Sequence, residues 1–92
     1  MKVGYARVST KGQQESLETQ RETLTAAGCQ KVFHDVASGV KADRPGLTAA
    51  IDYLRPEDTL VVTRIDRLGR SMPDALKTLL DLEERGIRVQ AQ

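Results

Sequence analysis

Hydrophobic positions along the 92-residue chain follow two different periods. Short apolar runs predict β-strands, whereas stretches with an apolar residue every three to four positions predict amphipathic helices. The predicted strands are residues 2–8, 31–36, 58–63 and 87–92. The predicted helices are residues 16–28, 45–55 and 73–85. Strands and helices therefore alternate along the whole chain.

This alternation predicts the fold class. Strands that alternate with helices form a parallel sheet, because each helix carries the chain back to the start of the next strand. The third strand, DTLVVT, has consecutive apolar residues and little alternation, which is typical of burial on both faces. Gly28 and Gly86 follow two of the helices, where a left-handed cap is expected. We expect an α/β fold with a mostly parallel four-stranded sheet flanked by helices.

Polar residues follow each of the first three strands. Arg7 and Ser9 end the first strand, residues 38–44 follow the second, and residues 64–70 follow the third. The carboxyl ends of parallel strands meet at one edge of a sheet, which is where such folds bind ligands. The three polar segments are therefore expected to form one site.

Arg7 and Ser9 allow two interpretations. Alternate residues of an extended strand point the same way, so a guanidinium and a hydroxyl would project together at the strand end. In the other interpretation, Ser9 only caps the helix that begins a few residues later. The pair by itself does not decide between them.

The segment TRIDRLGRS is more informative. Arg64, Arg67 and Arg70 are spaced by three, with Asp66 inside the run, so a helical or turn-like backbone would bring Arg67 and Arg70 together. A solvated, salt-bridged surface is the simpler explanation. Two features favour phosphate binding instead. The segment directly follows a buried strand, and it uses arginine without lysine. The planar guanidinium binds phosphate oxygens through two parallel hydrogen bonds.

Composition narrows the class of protein. Hydrophobic residues make up 39% of the chain and charged residues 29%, which is typical of a folded domain. The net charge of +1 gives no global argument for nucleic acid. A single cysteine, Cys29, excludes an intramolecular disulfide, and the N-terminus does not resemble a signal peptide, so we expect a cytoplasmic protein. No apolar stretch is long enough for a membrane helix.

Other chemistries fit the residue inventory poorly. The chain has no GxxxxGK[ST], GxGxxG or GxSxG motif. A Ser-His-Asp hydrolase would need His34, the only histidine, and one histidine with one cysteine gives no metal-binding spacing. We therefore expect no cofactor and no metal. A serine among arginines suits phosphoryl transfer, because guanidiniums stabilise charge on the non-bridging oxygens.

The segments YARVST, ASGVKADRPGL and DTLVVTRIDRLGRS resemble, in order and spacing, the catalytic domain of the serine site-specific recombinases, the resolvase and invertase family. The resemblance covers essentially the whole chain. It implies that Ser9 attacks a DNA phosphodiester to give a 5′-phosphoserine intermediate, followed by strand exchange and religation. It further implies that the scissile phosphate is bound by four arginines: Arg7, Arg44, Arg67 and Arg70. Asp66 would orient them or take part in proton transfer, and Gln13 and Ser38 would support the site, with Gln14 as the alternative to Gln13.

The resemblance also implies partners and domain organisation. The partners would be DNA and further copies of the chain, as a dimer and then a tetramer. Family members continue into a long helix and a DNA-binding domain, so residues 1–92 are expected to be a C-terminally truncated catalytic domain. Two alternatives remain: a catalytically inactive fragment that binds phosphate or DNA, or regulates a complete recombinase, and a small nucleotide-binding module, which the missing glycine-rich loop disfavours. The DNA target and the outcome of recombination stay open.

Overall fold

The computed structural model describes residues 1–9, 16–37, 45–69 and 71–91, with the backbone alone for Ser9 and Ala37. Its strands are β1 (Lys2–Ser9), β2 (Lys31–Ala37), β3 (Thr59–Val62) and β4 (Arg88–Ala91). Its helices are α1 (Leu17–Ala26), α2 (Pro45–Tyr53) and α3 (Met72–Glu84), and a 3₁₀ helix spans Ile65–Leu68. The predicted alternation of strands and helices is confirmed.

The strands form one sheet in the order β2-β1-β3-β4, and all neighbouring pairs are parallel. From β1 the chain moves to β2 on one side, then crosses to β3 on the other side of β1. The connection after β1 therefore runs to β2 on one side, and the connection after β3 runs to β4 on the opposite side. This is a topological switch point, and parallel α/β sheets bind ligands at such points, beyond the carboxyl ends of the strands.

Helices cover both faces of the sheet. On one face, α1 packs through Leu24 against Ala6 and Val61. On the other, α2 and α3 enclose the larger cluster, which includes Tyr5 and Val62. The apolar residues of β3 are fully buried, as predicted for a strand covered on both sides.

The ends of the helices decide two sequence predictions, one about Ser9 and one about Gly28 and Gly86. Ser16 is the N-cap of α1 and accepts a hydrogen bond from the Thr19 N–H at 3.1 Å. Ser9 is the last residue of β1, so the interpretation of Ser9 as the cap of the next helix is wrong. Gly28 and Gly86 have φ values of +100° and +80°, which confirms their left-handed caps.

The last helix is placed as predicted, but the leucines at helical spacing that predict it, Leu76, Leu79 and Leu80, do not share one buried face, since only Leu79 packs against the core. The side chains of Leu76 and Leu80 are 46% and 61% exposed, whereas Ala75 and Leu82 are fully buried. Among the described helices, none is long and apolar enough to span a lipid bilayer.

Candidate active site

The site begins where β1 extends beyond the end of the neighbouring strand β3. Pairing of β1 with β2 continues to Ser9, but pairing with β3 ends at Tyr5 and Val62. Arg7 therefore lies beyond the end of β3, and the side chain of Gln20 takes the place of that strand. The Arg7 N–H donates to Gln20 Oε1 at 3.1 Å, and Gln20 Nε2 donates to the Arg7 carbonyl at 3.0 Å. Because Gln20 is fully buried in α1, it holds this end of β1 extended up to Ser9.

The side chain of Arg7 connects β1 to the segment that follows β3. Its Nη1 donates a hydrogen bond to the Gly69 carbonyl at 2.5 Å. Gly69 follows the 3₁₀ helix that carries Asp66 and Arg67. A Cβ at Gly69 would overlap the backbone of Ala75, so the loop lies directly against the first turn of α3. Arg7 and the DRLGR segment thus meet at the carboxyl edge of the sheet, by which we mean the edge formed by the carboxyl ends of the strands.

The 3₁₀ helix carries a carboxylate, Asp66, that pairs with Arg64. Asp66 Oδ2 accepts from Arg64 Nη2 at 2.8 Å in a partly exposed ion pair. Asp66 Oδ1 is buried and accepts no hydrogen bond from the described part of the chain. Arg67 is half-buried. The 3₁₀ helix over Ile65–Leu68 meets the condition of a helical or turn-like backbone for these residues, whereas Arg70 lies outside the described residues.

A second carboxylate fixes the start of α2 at the same edge. Asp35, which pairs in register with Arg7, accepts three hydrogen bonds: from Tyr5 Oη at 2.6 Å, from the Gly46 N–H at 2.8 Å and from the Leu47 N–H at 3.0 Å. A side chain at Gly46 would overlap the backbone carbonyl of the residue before Asp35, so the first turn of α2 sits directly on β2. Asp35 therefore joins β1, β2 and α2 beside the site.

Sequence reasoning missed Tyr5, Gln20 and Asp35. Tyr5 and Asp35 did carry a signal, since they lie two and three residues before a polar segment near the end of a strand. Gln20 carried no such signal, because the sequence pattern of an amphipathic helix does not distinguish a buried glutamine from one that faces solvent.

The structure brings some of the predicted site residues together and leaves others undescribed. Arg7, Asp66 and Arg67 lie at the carboxyl edge, and the backbone of Ser9 ends β1 there. Several predicted residues lie outside the described residues, namely Gln13, Gln14, Ser38, Arg44, Arg70 and the side chain of Ser9. Arg44 directly precedes α2, and Arg70 directly follows Gly69, so the described neighbours of both belong to this edge.

The chemistry of this edge is that of an anion site. It combines guanidiniums with one partly exposed carboxylate, and the fork of an arginine suits the oxygens of a phosphate.

Cys29 lies away from this edge, on the face of the sheet that α1 covers. Burial raises the pKa of its thiol while Lys2 lowers it to a lesser extent, so the thiol stays protonated. Within the described ranges, no three His, Cys, Asp or Glu side chains come together as a potential metal site.

The family model "Resolvase, N terminal domain" matches residues 2–92. The chain belongs to this family. Among curated relatives, the Tn552 DNA-invertase BinR of Staphylococcus aureus is 49% identical over 87 residues, which cover 95% of this chain and 44% of that protein. The serine recombinase gin of Escherichia phage Mu is 47% identical over 91 residues, covering 99% of this chain and 46% of gin. The chain thus spans less than half the length of these relatives.

Solved structures agree with this assignment. The C-terminal catalytic domain of ISC1926 TnpA, an IS607-like serine recombinase, superposes with a TM-score of 0.75 at 27% identity, covering 98% of this chain and 68% of that one. A serine recombinase from Sulfolobus solfataricus gives a TM-score of 0.70 at 23% identity, which shows the same fold. The resemblance to serine recombinases seen in the sequence is therefore confirmed.

Proposed function

We propose that this resolvase-family chain is the catalytic domain of a DNA site-specific recombinase and that Ser9 is its nucleophile. The observation that supports this most directly is the hydrogen bond from Arg7 to Gly69. It holds the Asp66–Arg67 segment against the strand that ends at Ser9, at the switch point where α/β sheets bind ligands.

In the proposed reaction, the Ser9 oxygen attacks the phosphorus of a DNA phosphodiester. The Ser9 hydroxyl gives up its proton as the bond from phosphorus to the leaving oxygen breaks, the leaving oxygen takes up a proton as a free 3′-hydroxyl, and the 5′-phosphate remains esterified to Ser9, so no net proton is consumed. Arg7, Arg67, Arg44 and Arg70 stabilise the charge on the non-bridging oxygens. Asp66 orients the arginines or takes part in the proton transfer.

Religation reverses these steps with the 3′-hydroxyl of another strand. One phosphate ester replaces another at each step, so the exchange needs no nucleotide cofactor. A DNA substrate also implies a cytoplasmic location.

The assembly is part of the proposal. Because relatives are more than twice as long, we propose that residues 1–92 are a catalytic domain that works with further segments for dimerisation and DNA recognition. Pairing of two cleaved sites would require two dimers, that is, a tetramer. The phosphate contacts of the catalytic domain position the DNA, whereas the base sequence is recognised elsewhere.

A chimaera provides the test. Residues 2–92 would replace the matching part of the phage Mu recombinase gin, and cleavage of a plasmid carrying its recombination sites would be measured. Ser9→Ala should abolish cleavage and the covalent protein–DNA adduct on a denaturing gel, while the midpoint of urea unfolding changes little. The matched control, Thr25→Ala, removes an exposed hydroxyl from the last turn of α1 and should leave cleavage unchanged.

Two outcomes would contradict the proposal. An adduct that persists in the Ser9→Ala chimaera would show that another residue is the nucleophile. A chimaera with Ser9 intact that binds its DNA but forms no adduct would favour the alternative, in which the chain is an inactive phosphate-binding or regulatory partner.

A further inference from the structure

Arg64 is the most exposed of the described arginines at the carboxyl edge. It lies two residues beyond Val62 in β3, with an extended backbone at φ −151° and ψ 143°. Arg7 lies two residues beyond Tyr5 in β1, and Tyr5 and Val62 are partners in the sheet. Arg7 and Arg64 therefore leave neighbouring strands at the same level, on either side of the switch point.

The ion pair between Arg64 and Asp66 is easily broken. The side chain of Arg64 is 56% exposed, and that of Asp66, to which it donates, is 38% exposed. An ion pair this accessible contributes little to stability, because water and salt compete for both charges. Arg7 differs, because it is half-buried and its Nη1 is held by the Gly69 carbonyl. Arg64 can thus change partner without disturbing the loop that Arg7 fixes.

The described bond from Arg64 engages only one oxygen of Asp66. Oδ2 accepts from Arg64, whereas Oδ1 is buried and accepts no hydrogen bond from the described part of the chain. Departure of Arg64 therefore releases Oδ2. Departure of Arg64 would uncover Asp66 at the moment when a polyanion arrives.

DNA offers the anion that Arg64 would bind. Phosphates follow one another along each strand, so a site that receives one phosphodiester also receives its neighbours. We propose that Arg64 binds the phosphate adjacent to the one that Ser9 attacks, and that it leaves Asp66 to do so. This inference rests on the proposed function, since it needs DNA at the carboxyl edge.

The experiment uses the 92-residue chain and a short fluorescent DNA duplex. Fluorescence anisotropy would give Kd over a series of salt concentrations for the unaltered chain and for Arg64→Gln. Loss of one phosphate contact should reduce the slope of log Kd against log salt by about 1 and weaken binding several-fold at the lowest salt. Arg64→Lys keeps the charge and should keep the slope.

Arg85→Gln is the matched control. Arg85 forms a similar ion pair with Asp81 at 3.2 Å, with the two side chains 52% and 51% exposed. It follows the C-terminal end of α3, whereas the carboxyl edge adjoins the N-terminal end of that helix. The substitution removes the same charge and should leave the slope unchanged.

The outcomes separate this inference from the proposed function. If the unaltered chain binds DNA and Arg64→Gln has the same slope, Arg64 does not contact a phosphate. The same conclusion follows if Arg64→Gln weakens binding without changing the slope, because Arg64 then acts only by positioning Asp66. If the unaltered chain shows no salt-dependent binding, the slopes are compared in the gin chimaera instead, and an unchanged slope for Arg64→Gln there shows that Arg64 does not contact a phosphate.

Discussion

Two carboxylates at the same edge of the sheet have opposite surroundings. Asp35 is 7% exposed and accepts hydrogen bonds from one phenol and two backbone amides. Asp66 is partly exposed, and its described hydrogen bond comes from Arg64. The hydrogen bonds to Asp35 join separate parts of the fold, whereas the bond to Asp66 Oδ2 comes from Arg64 in a partly exposed ion pair. The comparison suggests that Asp35 governs stability and that Asp66 is available for chemistry.

Substitution of Asp35 should have the largest effect on stability. In Asp35→Asn an amide nitrogen replaces one acceptor oxygen and faces a backbone N–H, so at least one buried donor loses its partner. We expect the free energy of unfolding to fall by about 2–4 kcal/mol, because hydrogen bonds to a buried charge are lost and the desolvation of the donors is no longer compensated. Urea denaturation followed by circular dichroism measures this loss.

Asp52→Asn makes the same chemical change on the exposed surface of α2. It should alter the free energy of unfolding by no more than about 0.5 kcal/mol, as is usual for surface positions. Equal effects of Asp35→Asn and Asp52→Asn would show that the buried network does not stabilise the start of α2.

Removal of the phenol should have an intermediate effect. Tyr5→Phe deletes the donor that lies 2.6 Å from Asp35 Oδ2 and keeps the ring in the core. We expect a loss of about 1.5–3 kcal/mol in the free energy of unfolding, the usual range for a bond to a charged acceptor. Tyr53→Phe, at a residue that is 41% exposed, is the control and should be neutral. Additivity of Tyr5→Phe and Asp35→Asn would contradict a direct interaction, since residues in contact couple.

The fold was predictable because its determinants are local. Apolar runs and helical spacings identified each strand and helix, and alternation implied the parallel sheet. The face that α3 buries was not predictable in this way. Leu76 and Leu80 have the spacing of a core stripe, yet they are exposed, because the rotation of a helix about its axis depends on the surface it meets.

The site was predictable only in outline. The rule for parallel strands brought Arg7 and the segment with Asp66 to one edge, and the structure places them there. The contact of Tyr5 with Asp35 depends on the register between β1 and β2, and the role of Gln20 depends on β3 being shorter than β1. Neither length nor register is encoded in a local pattern.

Among the substitutions at the carboxyl edge, the smallest effect on stability is expected for Asp66→Asn, which weakens a partly exposed ion pair. The free energy of unfolding should change by less than about 1 kcal/mol. In the chimaera, cleavage should slow by about 100-fold or more, which is typical for loss of a group that transfers a proton. Asp81→Asn weakens the comparable pair with Arg85 and should leave cleavage unchanged. If Asp66→Asn destabilised the fold as much as Asp35→Asn while cleavage per folded molecule stayed normal, the two carboxylates would have the same structural role and the contrast between them would be wrong.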